Sequence, residues 1–515
     1  MSTELASPVD HYRPDAQIGD VSSRRASRAG PLLIGAAVVS LSGCCLQISG
    51  VPIPTAGAAS SGGVGTSAGT TAAATSSAGS SAPTATSSSS GGTSSGGGAS
   101  SGTTTGRGPG CTIDGQFYPA YSANPSNAAS CCNPKLDEHD WVPLFVKSMS
   151  FPVDSGMGPE DGLATDLNGD GIADVVVATS TANGQQAQLW VYLSANGGYS
   201  GPWIFAPMMP NGSSGAGRLT LGDFAGEGTE EILYSQGWPG AIYQVNAIGW
   251  LQLEATLSNP CTGGELGVID YNSDGLPDVV WVTSCGLTLY LNDGDGGLVW
   301  QSTPIAADLW TQPMRYGTGL AIADFDGDGL PDLAYVGLDG GVCWLQNSGH
   351  NLSGDAGGSL SIGSPDSWVT ILAVMPYSDG TGIAYARNRP SFGMCGIGAS
   401  FGSLQGCSDS QFEAQMNIEG ANLTTGDVNG DGQPDVLMAG SVVDAGSWVE
   451  VVVFDPSSRT EKAFGSQPVQ GDQSIQQIAA GDLNGDGFAD LVIFRDGGPW
   501  EGWLNTCGPG PLNAP

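Results

Sequence analysis

Hydrophobic residues are distributed unevenly along this chain and divide it into unlike parts. An apolar run from Pro31 to Leu41 lies near the start, and from about Gly50 to Gly110 Ser, Gly, Thr and Ala dominate. From Trp141 onward, short apolar runs recur to the end of the chain. Examples are Val175-Val176-Val177, Leu189-Trp190-Val191-Tyr192-Leu193, Val279-Val280-Trp281-Val282 and Trp448-Val449-Glu450-Val451-Val452-Val453. They are rich in β-branched and aromatic residues and punctuated by Gly-Gly and Asn-Gly, which reads as strands and turns. No sustained helical period appears.

In five places the polar spacer between two apolar runs is the same nine-residue phrase. The copies are DLNGDGIAD (Asp166 to Asp174), DYNSDGLPD (Asp270 to Asp278), DFDGDGLPD (Asp324 to Asp332), DVNGDGQPD (Asp427 to Asp435) and DLNGDGFAD (Asp482 to Asp490). First-position spacings are 104, 54, 103 and 55 residues, so two wider gaps each conceal a degenerate copy. DFAGEGTEE (Asp223 to Glu231) and MPYSDGTGI (Met375 to Ile383) fill them. Seven units of about 50 residues, each with room for four short strands, predict an all-β fold, a seven-bladed β-propeller. The strand Trp141–Val146 stands ahead of the first unit and is expected to complete the last blade after Trp500–Leu504. That pairing leaves no sheet edge open.

The phrase places oxygen-bearing side chains at positions 1, 3, 5 and 9. These are Asp166, Asn168, Asp170 and Asp174 in the first copy, and Asp270, Asn272, Asp274 and Asp278 in the second. Asp324, Asp326, Asp328 and Asp332 form the third set, Asp427, Asn429, Asp431 and Asp435 the fourth, and Asp482, Asn484, Asp486 and Asp490 the fifth. Hard oxygens at this spacing suit Ca²⁺, the sixth-position Gly lets the backbone bend around the ion, and position 7 is expected to supply a carbonyl. Those carbonyls belong to Ile172, Leu276, Leu330, Gln433 and Phe488. An EF-hand needs a bidentate Glu at position 12 and flanking helices. Position 12 here is Val177, Trp281, Tyr335, Met438 or Ile493, which excludes it.

The pattern D-x-[DN]-x-D-G-x-x-D between two strands, repeated over a propeller, resembles the FG-GAP/VCBS repeats of integrin α-subunits and bacterial surface proteins. The resemblance implies about five structural Ca²⁺ ions that rigidify hairpins on one rim, while partners dock elsewhere. The second unit departs from the pattern with Ala225 at position 3 and Glu at positions 5 and 9, and the fifth keeps only Asp379.

Acids outnumber bases 50 to 14, a formal net charge of −36, so a nucleic-acid partner is not expected. Arg24, Arg25 and Arg28 precede the Pro31–Leu41 run, which is too short to span a bilayer and ends in Leu41-Ser42-Gly43-Cys44. That ending resembles a bacterial lipobox and implies cleavage before Cys44 and lipidation of its thiol. The expected plan is a signal peptide over 1–43, a disordered flexible stalk over 44–110, a short Cys-containing segment over 111–134 and the propeller over 135–515. The protein is then exported and lipid-anchored in the bacterial envelope, at the outer membrane or cell surface, with a periplasmic or secreted form as the alternative. Membrane contact runs through the lipid alone.

Eleven Cys in an exported chain suggest disulfides. Cys261–Cys285 and Cys395–Cys407 are the candidate pairs, each across a hairpin, while Cys111, Cys131, Cys132, Cys343 and Cys507 cannot be paired from spacing. Outside the metal loops, Arg315, Tyr316, His350, Arg387, Arg389, Glu413 and Arg495 form no spaced catalytic constellation. A monomeric binding module for a protein or carbohydrate ligand is therefore expected rather than an enzyme. The alternative is a Ca²⁺-stabilised polysaccharide lyase or glycosidase.

Overall fold

The computed structural model describes residues 108–154, 156–181, 187–195, 198–205, 217–235, 240–246, 250–257, 265–283, 286–294, 298–300, 319–336, 342–349, 352–353, 369–377, 380–387, 392–397, 404–409, 422–442, 446–455, 460–471 and 473–508. Most fifth-sheet side chains are not among them. Every described element is a strand, and among the described residues no helix is long and apolar enough to cross a membrane.

Seven four-stranded antiparallel sheets follow one another along the chain, their first strands being Met157–Thr165, Arg218–Gly222, Glu265–Ile269, Leu320–Ala323, Val369–Tyr377, Asn422–Gly426 and Ile475–Gly481. In each of the first six, strands pair in sequence order. The seventh takes its fourth strand from far upstream, where Phe145–Phe151 pairs with Trp500–Asn505. The closing strand thus starts later than the Trp141–Val146 expected from sequence. Val142–Pro143 is already paired with Asn127–Cys131, and the Leu144 N–H bonds the Ala129 carbonyl.

The first, second, third and seventh sheets are apolar on both faces, which explains runs of consecutive Val rather than strict alternation. In the first sheet Val175, Val177, Trp190 and Tyr192 pack toward the seventh, while Val176, Ala178, Leu189 and Val191 pack toward the second. Similar cores join the second to the third sheet, the third to the fourth and the sixth to the seventh. First strands touch from each sheet to the next, and the first strand of the seventh touches that of the first. At that last seam Trp500 meets Trp190 at 5.7 Å, Phe494 at 5.6 Å and Tyr192 at 6.1 Å between ring centroids. Burying one side chain such as Phe494 stabilises by about 1.5–3 kcal/mol.

The Cys-containing segment is a small clasp. Its hairpin Gly110–Ile113/Gln116–Pro119 turns at Asp114 and Gly115, both at positive φ, as a tight primed turn requires. Cys111 bonds Cys132, and Cys131 bonds Cys507, 376 residues away. Ala128, Ala129 and Cys131 lie in the same core as the sixth and seventh sheets. The segment lies against the outer strand of the sixth sheet, Thr460–Val469, where the Asn127 side chain bonds both the N–H and the carbonyl of Ser466. A β-carbon on Gly465 would stand 2.0 Å from the Ala129 nitrogen, so only glycine admits this approach. Cys44, Cys261 and Cys285 lie outside the described residues, as do the side chains of Cys395 and Cys407.

Candidate metal centre

Each nine-residue phrase is the turn between the first and second strands of a sheet, and its own carboxylates shape it. Asp166 Oδ1 accepts the N–H groups of Gly169 (2.8 Å) and Asp170 (3.1 Å), and its Oδ2 accepts that of Gly171 (2.8 Å). Asp427 and Asp482 repeat the arrangement. Oδ1 of the third residue accepts the fifth N–H, and Oδ1 of the fifth accepts the seventh, as at Asn168, Asp170 and Ile172. The loop is thereby wound with its oxygens inward and sixth-position Gly171, Gly275, Gly329, Gly432 and Gly487 at positive φ. In the third copy Asp324, Asp326 and Asp332 each offer an oxygen within 4.8 Å of the others. Three hard oxygens at that separation fit a Ca²⁺ ion.

The ninth position has a second role that its sequence does not advertise. Asp174, Asp278, Asp332, Asp435 and Asp490 are fully buried. Oδ2 of each accepts the second-position N–H, from Leu167, Tyr271, Phe325, Val428 and Leu483 at 2.8–3.2 Å. Oδ1 accepts an N–H where the third strand ends, from Ser194 (2.6 Å), Asn292 (2.8 Å), Asn347 (2.8 Å) and Asn505 (2.6 Å) in four of the sheets. One carboxylate therefore pins the loop to a strand two places across. Burial raises these groups, Asp174 and Asp278 to about 6, Asp332 to about 7 and Asp490 to about 8, with the accepted N–H bonds opposing it.

Sequence reasoning missed the asparagines that end three third strands. Asn292, Asn347 and Asn505 each donate through Nδ2 to the second-position carbonyl of the preceding sheet's loop: Phe224 (2.8 Å), Tyr271 (3.1 Å) and Val428 (2.8 Å). Loops also bond directly, Ala173 N–H to the Asp482 carbonyl at 2.7 Å and Ala489 N–H to the Asp427 carbonyl at 2.8 Å. The available signal was an Asn 14 or 15 residues past the ninth-position Asp, in Leu291-Asn292, Gln346-Asn347 and Leu504-Asn505.

The degenerate units part ways. In the second, Asp223 still winds the loop through the N–H groups of Glu227 and Gly228, but Ala225 offers no oxygen and Glu231 Oε1 is buried without a partner. In the fifth, Met375, Pro376 and Tyr377 belong to the first strand and Tyr377 pairs with Gly380, while Asp379 lies outside the described residues. Of the residues weighed for catalysis, Arg495 is buried and bonds Glu501, Ser447 and the Gln473 and Gln470 carbonyls, a packing role. Arg315, Tyr316, His350, Arg389 and Glu413 lie outside the described residues, as does the Arg387 side chain.

Residues 166–234, 270–335 and 427–493 match the model of the FG-GAP-like repeat. Each match begins at the first position of one loop and ends in the second strand of the next sheet. These repeats and the all-β architecture support an FG-GAP repeat propeller. Comparison with curated proteins finds no match. Among solved structures, a crystal structure of BBS1N in complex with ARL6DN, soaked with lead, is 12% identical over 72% of this chain and 99% of its own, with a TM-score of 0.46. An Agrocybe aegerita lectin, solved for recognition of non-reducing terminal N-acetylglucosamine, is 16% identical over 69% of this chain and 94% of its own, with a TM-score of 0.42.

Proposed function

From these FG-GAP-like repeats we propose that the chain is a Ca²⁺-stabilised, seven-bladed propeller that presents a rigid binding face to a protein or carbohydrate ligand. The observation that carries the calcium reading is the convergence of Asp324, Asp326 and Asp332 on a loop whose phrase recurs five times along the chain. The loop's first, third, fifth and ninth side chains, with the seventh carbonyl, hold the ion in each of the five full copies. Bound Ca²⁺ screens carboxylates that otherwise repel one another, and it ties the first hairpin of a blade to its third strand through the ninth-position Asp. The cycle of contacts between first strands supports the ring. The two disulfides, Cys111–Cys132 and Cys131–Cys507, favour an oxidising compartment and so export behind the lipobox at Cys44.

An ion that binds only the folded state stabilises it by mass action. Metal analysis of purified protein should find about five Ca²⁺ per chain, and a chelator should lower Tm by more than about 10 °C, a shift worth several kcal/mol for a domain of this size. An unchanged melt and no bound calcium defeat the calcium reading. A glycan array run beside pull-down from envelope extracts separates a carbohydrate ligand from a protein one. Turnover of acidic polysaccharide would instead return the enzyme reading.

A further inference from the structure

Every full copy of the phrase but one carries Asn at its third position, and that amide bonds within its own loop. Asn168 Nδ2 donates to Asp174 Oδ1 at 3.1 Å, Asn272 to Asp274 Oδ2 at 2.8 Å, Asn429 to Asp435 Oδ2 at 3.0 Å and Asn484 to Asp486 Oδ2 at 3.2 Å. Two loops lack this amide: the second sheet has Ala225 at the position and the fourth has Asp326. In both, an amide arrives from the third strand instead. Gln244 Nε2 donates to Glu227 Oε2 at 3.3 Å, and Gln346 Nε2 donates to Asp326 Oδ2 at 2.5 Å. The two glutamines hold one structural position. Ile232 pairs with Tyr243 and Leu333 with Leu345, so Gln244 and Gln346 each lie across from the ninth residue of their loop. In the four Asn-bearing sheets the same register puts Leu193, Leu291, Val453 and Leu504 there. Among the six sheets whose loops are described, an aliphatic residue at this place accompanies Asn in the loop, and Gln accompanies its loss. Each loop keeps one amide, by either of two routes.

The second sheet's loop carries a further, independent mark of an ion site. Its winding is that of the full copies: Asp223 Oδ1 accepts the Glu227 N–H at 2.8 Å, Oδ2 accepts the Gly228 N–H at 2.9 Å, and Gly226 and Gly228 have positive φ. Glu231, at the ninth position, is 1% exposed. Its Oε2 accepts the Ala225 N–H at 3.1 Å, which sets the carboxylate inside the loop, while Oε1 has no hydrogen-bond partner. The matching oxygen in four full copies accepts an N–H where the third strand ends. Asp223 and Glu227 both act on Glu231 electrostatically, and among the described residues no ion pair reaches any of the three. A buried, unpaired carboxylate oxygen is costly, and a cation answers it.

We propose that the second sheet's loop is a sixth Ca²⁺ site, held by Asp223, Glu227 and Glu231, with Gln244 supplying the oxygen that Ala225 lacks. A half-turn of a terminal amide exchanges its N–H₂ for its oxygen at the same place. Amide oxygens are ordinary Ca²⁺ ligands, and the ion takes about 6–8 oxygens in a flexible arrangement. Among the described residues only Asp324, Asp326 and Asp332 bring three acidic oxygens within 4.8 Å of one another. In the second sheet, as in the Asn-bearing loops, an amide oxygen therefore completes the set. The site rests on the calcium reading of the five full copies and extends it to a loop that departs from their phrase.

The test is hydrogen exchange of the full chain, read loop by loop across a series of calcium buffers. Wild type should show calcium-dependent protection over Asp223–Glu231 as well as over the five full copies. Gln244→Leu installs the residue that Leu193, Leu291 and Leu504 provide at this place in other sheets. It should raise the calcium midpoint of the second loop on the order of tenfold or more and leave the other five unmoved. Adding Ala225→Asn to Gln244→Leu rebuilds the pairing of those sheets and should restore the midpoint. Protection of the five full copies without the second loop, a midpoint untouched by Gln244→Leu, or a shift shared by all loops overturns the sixth site and leaves the calcium reading standing. No calcium response in any loop overturns both.

Discussion

Removing the carboxylate of Asp490 strands the N–H groups of Leu483 and Asn505 inside the protein, whereas removing that of Asp326 takes away an oxygen from the half-exposed mouth of a loop. The two positions of the phrase therefore differ in kind. Asp490→Ala should cost about 2–4 kcal/mol in denaturant unfolding even with chelator present, from two unsatisfied buried donors less the relief of a desolvated acid. Asp326→Asn should stay within about 0.5 kcal/mol of wild type in chelator and lose only part of the calcium-dependent gain. Equal losses at both positions would refute the distinction. Glu450 gives a separate, metal-independent reading. It is buried on the third strand of the sixth sheet with Oε2 unpartnered, and burial raises it from 4.5 to about 7. A raised acid contributes stability that is full below the unfolded value of 4.5 and is lost as pH rises through about 7. Wild type should thus lose up to roughly 3 kcal/mol from this residue between pH 5 and 8, and Glu450→Gln should flatten that slope. A variant whose melting curves keep the wild-type pH dependence excludes Glu450 as the cause.

At the scale of elements, the clasp and the closing strand meet the chain's far end at one place. Asn505 pairs with Phe145, the Thr506 N–H bonds the Leu144 carbonyl, and Cys507 is bonded to Cys131. Replacing Cys131 and Cys507 together by Ser should lower unfolding stability by about 2–5 kcal/mol, the usual loss for a native disulfide. Fraying should then appear first as faster hydrogen exchange in Phe145–Phe151. Exchange that rises uniformly over all sheets would argue against a local clasp. The strands themselves were legible because the phrase marks the first hairpin of most sheets and because apolar runs such as Val279–Val282 are continuous. The pairing of Cys131 with Cys507 was not, since nothing local in either neighbourhood names a partner 376 residues away. Asn292, Asn347 and Asn505 escaped for a related reason. Their bonds cross to the preceding sheet, and a pattern read one unit at a time does not contain that contact. The dual engagement of the ninth-position Asp was hidden because ligand chemistry and backbone pinning call for the same side chain.

For the whole molecule, the acidity reads differently at the two ends of the first strands. Around the loops the carboxylates accept the loops' own N–H groups, and at the other end Glu265 and Asp161 gather about the Arg218 guanidinium. The clasp adds a mechanical consequence. Suppose tension enters from the N-terminal side, as it would if the chain were tethered there. It reaches Cys111 first, crosses covalently to Cys132, and at the neighbouring Cys131 divides between the onward chain and Cys507. The start of the closing strand and the end of its partner are then pulled from one covalent node. The ladder between Phe145–Phe151 and Trp500–Asn505 cannot be unzipped from that end while Cys131–Cys507 is intact, and the load passes to the sheets in parallel.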